Sequence, residues 1–197
     1  MKITKSKILL GIVLILAVIV LVVWFRYSSL KNQITLQKNE IDRLNRYVDD
    51  LKTVSGLGVI GDAHIHADIA IYINGEKVDL SQQKYQLKAK QVHVEDGRGD
   101  VVHVHVKGIT PGHFLNSIGL RLNGGCIETD AERFCNSDSK KLKFYINGKL
   151  TDEGGSYALK NMDKILISYG DESQGEIQTQ INSVTGNAKE FSNSEMG

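Results

Sequence analysis

The polar and apolar positions of this chain divide it into four stretches with different periodicities. Residues 8–25 (ILLGIVLILAVIVLVVWF) carry no charge and no polar side chain. As a helix this run spans roughly 27 Å, close to the hydrocarbon thickness of a bilayer. From residue 30 the pattern becomes heptad-like. Ile34, Ile41 and Val48 fall at a, and Leu30, Leu44 and Leu51 at d, with Gln37 interrupting the d seam. β-Branched residues at a with Leu at d favour a parallel two-stranded coil. An amphipathic helix lying on its own domain fits the same spacing. Ser55-Gly56-Leu57-Gly58 then breaks the helix.

Period two takes over in the third stretch. Across residues 63–73, Ile65, Ala67, Ile69, Ile71 and Ile73 alternate with His64, His66, Asp68 and Tyr72. Asn74-Gly75 signals a type I′ hairpin whose return strand is 77–80. A second strand pair is expected at 91–95 and 101–106, joined by Asp96-Gly97-Arg98-Gly99-Asp100. There Val92, Val94, Val102, Val104 and Val106 share one face, while His93, Glu95, His103 and His105 share the other. Antiparallel pairing then sets His93 opposite His103 or His105, according to register. Thr110-Pro111-Gly112 opens a short helix with Thr110 as N-cap and Pro111 at N1. A second Asn-Gly hairpin follows at 142–150, and a last strand at 164–169. The fourth stretch, 171–197, is rich in Ser, Asn, Gln, Glu and Gly with a formal charge of −4, and is expected to be a disordered tail.

The expected organisation is α+β: a cytoplasmic tip and membrane anchor (1–27), a helical stalk (28–55), a β-rich outer domain (62–170) and the acidic tail (171–197). Lys2, Lys5 and Lys7 precede the apolar run, and Trp24, Arg26 and Tyr27 close it. The positive-inside bias therefore puts the N-terminus in the cytoplasm and the outer domain outside. A cleaved signal peptide would have a shorter apolar core ending in a small-x-small site, whereas this run ends in VVWFRY. The partners this implies are the bilayer, a second copy joined through residues 30–51, and a membrane-protein complex. With 24 Lys+Arg against 23 Asp+Glu, the net charge of +1 excludes a strongly basic nucleic-acid binder.

All six histidines fall between residues 64 and 113. Five belong to two His-x-His pairs and one His-x-Glu on strands. A His-x-His step sends both imidazoles to the same side of a strand, about 7 Å apart at the backbone. Neighbouring strands can thus bring several nitrogens to one ion. The expected metal ligands are His64, His66, His93, His103 and His105, with Asp68 and Glu95 as further ligands or as carboxylates that orient the rings. His113, at a helix start, reads as a capping or surface residue. Imidazole with carboxylate suits copper or zinc. Methionine occurs only at Met1, Met162 and Met196, which excludes a methionine-rich copper(I) site. Cys126 and Cys135 bracket eight residues. Outside the membrane a structural disulfide is the default. A redox-active pair usually has the Cys-x-x-Cys spacing that is missing here.

Three resemblances extend this reading. His64-Ile65-His66-Ala67, His93-Val94-Glu95-Asp96-Gly97, His103-Val104-His105, the paired cysteines and the closing Ile167-Ser168-Tyr169-Gly170 resemble segments of a family of single-pass, outward-facing membrane proteins, chiefly from ammonia-oxidising archaea. That family has no assigned biochemical role, and its members are sometimes labelled protein-disulfide isomerases, a label the cysteine spacing here does not support. The likeness covers roughly residues 60–170. The pattern over 112–169 looks like a β-grasp arrangement. Gly97-x5-His103-x-His105, followed by Pro111-Gly112-His113-x-x-Asn116, resembles part of a cupin metal motif, but Ile109 and Thr110 stand where that motif wants Glu. The function expected is therefore a membrane-anchored, extracytoplasmic copper or zinc carrier, chaperone or accessory subunit. The alternatives are a thiol-disulfide exchange protein using Cys126 and Cys135, and a non-catalytic scaffold or assembly subunit. If the chain is an enzyme, a disulfide isomerase or a cupin-like metalloenzyme is implied.

Overall fold

The computed structural model describes residues 5–123 and 125–194. The chain divides into two units, Met1–Ser55 and Gly56–Gly197. The first is one α-helix, α1 (Lys5–Ser55), which ends where Gly56 takes a left-handed φ of 68°. Glycine enters that conformation without a Cβ penalty and terminates helices for that reason. Among the described residues, Ile12–Val48 forms one helix long and apolar enough to cross a membrane.

The second unit is built on β1 (Ile65–Ile73), β2 (Glu76–Lys77), β3 (Val92–His93), β4 (Val101–Val104), α2 (Pro111–Ser117), β5 (Arg121–Asn123), β6 (Cys126–Glu128), β7 (Arg133–Cys135), β8 (Lys141–Ile146), β9 (Lys149–Leu150), β10 (Lys164–Gly170), α3 (Gln174–Asn182) and α4 (Ala188–Ser194). The main sheet runs β3-β4-β1-β10-β8-β9, with β2 also paired to β1. Its two central strands, β1 and β10, are parallel, and their other pairings are antiparallel. Both Asn-Gly turns form as expected, with positive φ at Asn74, Gly75, Asn147 and Gly148. The return strand β2 is shorter than expected, although the Val78 N–H still donates to the Ile71 carbonyl.

Alternation along β1 decides the layering. Ala67, Ile69 and Ile71 point into the principal core with Val92, Val102, Val104, Ile165 and Ile167, and Phe114 and Leu115 of α2 close that side. The reverse face of the sheet is also covered. Ala70 and Leu166 pack there against Val184, with Tyr72, Tyr145 and Ile181 alongside.

That second cover corrects the expectation of a disordered tail. Ser173 and Glu176 form a capping box at the start of α3, and Ile177, Gln180, Val184 and Ala188 are buried. Few apolar residues are needed, because the sheet already supplies the other half of the contact. Over 112–169 the expected helix, Asn-Gly hairpin and last strand form as α2, β8–β9 and β10, and β10 continues the sheet by pairing with β1. The cupin implication also fails at the level of fold. Cupins are double-sheet jelly rolls, whereas this main sheet is open, with a parallel central pair.

Candidate functional site

Three strands and the residues flanking them carry five of the six histidines. Register pairs His93 with His103 and His103 with His66, so β3, β4 and β1 hold these three residues in one row across the sheet. The same register pairs Ile65 with Val104, which brings His64 beside His105 one step further along. The aliphatic residues of these strands enter the core, and strand alternation turns all five imidazoles to the opposite face.

The rings form a closed circuit. Centroid separations are 4.8 Å for His64–His66, 4.7 Å for His66–His103, 5.8 Å for His103–His93, 5.1 Å for His93–His105 and 5.0 Å for His105–His64. Glu95 stands against this circuit. Its Oε2 is 3.2 Å from His93 Nε2, and its Oε1 is 3.5 Å from His103 Nδ1. His93 Nδ1 lies 2.9 Å from the Ala89 carbonyl, and with Glu95 on the other nitrogen this holds the ring's orientation. Burial, and then the neighbouring His66, His93, His105 and His64, push His103 down to about 4. A neutral imidazole keeps a lone pair for a metal or a proton.

The face is not open to solvent, as an ordinary polar sheet face would be. His66, His93 and His103 are buried, His105 is half-buried and His64 is exposed. The cover comes from α4 and the loop before it. Phe191 lies 5.6 Å from the His66 ring and 4.8 Å from the His103 ring, centroid to centroid. The Ser192 hydroxyl is 3.3 Å from His66 Nδ1 and donates to Asn161 Oδ1, which also accepts from the His66 backbone N–H. Sequence reasoning missed Phe191, Ser192 and Asn161. The only available signal for Phe191 was a lone phenylalanine in a stretch otherwise poor in aromatic residues.

Asp68 shares the face but is turned to another task. Its Oδ1 accepts from the Thr185 hydroxyl at 2.6 Å, the Asn187 N–H at 2.8 Å and the Ala188 N–H at 3.2 Å. This buried carboxylate fastens the C-terminal segment to β1. His113 behaves as expected. Its backbone N–H donates to Thr110 Oγ1, and its Nδ1 accepts from the Thr110 N–H. Cys126 and Cys135 are bonded to each other and directly paired across β6 and β7, in the separate three-stranded sheet.

Among the described residues, no group of three or more His, Cys, Asp or Glu side chains could hold a metal ion as the side chains stand. Compared with known proteins, the chain matches no family model, no curated protein and no solved structure.

Proposed function

We propose that this is a membrane-anchored protein whose histidine face, turned to the outside of the cell, binds copper or zinc as a carrier, chaperone or accessory subunit. The observation that carries the reading is the closed circuit of five imidazoles with 4.7–5.8 Å between neighbouring centroids. Metal–nitrogen bonds are about 2.0–2.1 Å, and an imidazole centroid lies about 1.1 Å behind its nitrogen. Two rings on one ion then have centroids about 4.5 Å apart at right angles and about 5.2 Å apart at the tetrahedral angle. Four of the five neighbouring pairs fall in this range. Adjacent rings therefore already stand at the separation that two ligands of one ion need.

The donor chemistry supports the same ions. Neutral imidazoles with a single carboxylate suit copper(II) and zinc(II). Depression of the His103 pKa removes proton competition at neutral pH. Glu95 can serve as a fourth ligand or release a ring nitrogen as the metal enters. The lysines before the apolar run support an N-terminus in the cytoplasm and the histidine domain on the far side.

Purified full-length protein in detergent should bind one equivalent of zinc or copper after chelator treatment. His66→Ala and His103→Ala should each weaken binding by at least about tenfold, the loss of one ligand. Undiminished binding in both variants would refute the reading.

A further inference from the structure

The C-terminal segment is the part of the outer domain that encloses the histidine circuit. It reaches the site from the far end of the chain and is held by side chains around the circuit rather than by a broad apolar contact. Asp68 accepts from Thr185, Asn187 and Ala188 at its start. Asp100 accepts from the Asn187 side chain at 2.6 Å. The Arg98 guanidinium pairs with Asp100, lies 3.5 Å from Glu190 and stands 5.0 Å over the Phe191 ring. Phe191 in turn rests on His66 and His103. Two ends of the circuit thus differ. His64 is exposed and His105 half-buried, while His66 and His103 lie beneath an aromatic cover fastened by the half-buried Arg98, Asp100 and Asn187 and by the buried Asp68.

We infer that residues 185–192 form a lid over the inner half of the histidine site, closed by Phe191 and latched by Arg98, Asp100 and Asp68. Metal entering at His64 and His105 reaches His66 and His103 only when this lid lifts. Such local opening is expected of a seven-residue helix in which Lys189 and Glu190 are exposed and Phe191 and Ser192 only half-buried. The metal consequence rests on the proposed function. The lid itself does not, since it is a statement about access to two rings.

The test separates the two. Full-length protein in detergent micelles is treated with diethyl pyrocarbonate, and modification of each histidine is followed by peptide mass spectrometry, with and without zinc uptake measured by stopped flow. In the unmodified sequence His64 should react fastest and His66 and His103 slowly. Phe191→Ala should accelerate His66 and His103 by about two- to tenfold per aromatic contact removed, leaving His113 in its capping box unchanged. Arg98→Ala, which leaves Phe191 in place, should accelerate the same two residues more weakly. Zinc should associate faster with Phe191→Ala at unchanged stoichiometry. Equal His66 and His103 reactivity in all three proteins would overturn the lid, whatever zinc does. Faster reactivity without zinc binding in any protein would overturn the metal reading and leave the lid standing.

Discussion

Acidification should loosen the second unit through His103. The ring is buried among His66 on β1 and His64 just before it, His93 on β3 and Glu95 just after it, and His105 beyond β4, and its pKa is lowered from 6.5 to about 4. The unfolded chain therefore binds the proton more readily than the folded one. Stability from this group is complete above the unfolded value and is lost as pH falls from about 6.5 towards 4. Between pH 7 and pH 5 the loss is about 2 kcal/mol, and around pH 5.5 the slope approaches 1.2 kcal/mol per pH unit, close to one proton taken up on unfolding. The assay is urea unfolding of the detergent-solubilised full-length chain with chelator present, read by hydrogen exchange at β1 and β4. His103→Gln removes the titrating ring and should flatten the profile in that window by nearly one proton, whatever its own effect at pH 7. An unchanged slope in His103→Gln would refute the reasoning.

Other consequences are as direct. Asp68→Ala removes the acceptor of three hydrogen bonds and should cost about 3 kcal/mol, seen as faster proteolysis between residues 182 and 188. Removing the disulfide with Cys126→Ser and Cys135→Ser together should cost about 2.5–3 kcal/mol on the loop-entropy account, seen in urea melts, and should leave metal affinity within twofold of its original value. Leu16→Arg and Val20→Arg together place two charges in the apolar run and should release the chain from membranes in alkaline carbonate extraction. Retention of that double variant would argue that α1 does not span the bilayer.

Period two made the histidine face legible, because a strand that buries Ala67, Ile69 and Ile71 must turn His64 and His66 the other way. Two Asn-Gly pairs fixed both hairpins, and Thr110-Pro111 fixed the start of α2. What escaped was the cover on the second face. Ser173-x-x-Glu176 is a capping-box signature, and Ile177, Ile181 and Val184 follow at helical spacing. That stripe is too narrow to outweigh a Ser-, Asn- and Gln-rich composition when read without the sheet it packs on. Asp68 carried a similar ambiguity. A carboxylate beside histidines looks like a ligand until its hydrogen-bond donors, which lie more than a hundred residues away, are in view. The parallel pairing of β1 with β10 was likewise hidden, since it joins strands about a hundred residues apart in sequence.

The central claim is that these imidazoles share one ion. X-ray absorption at the metal edge of the zinc- or copper-loaded full-length protein reads that claim at the ligands themselves. The account predicts a nitrogen shell at about 2.0 Å with multiple scattering from three or more imidazoles, reduced by one ring in His103→Ala. A shell of oxygen with one imidazole or none, or a spectrum that His103→Ala leaves unchanged, would contradict it.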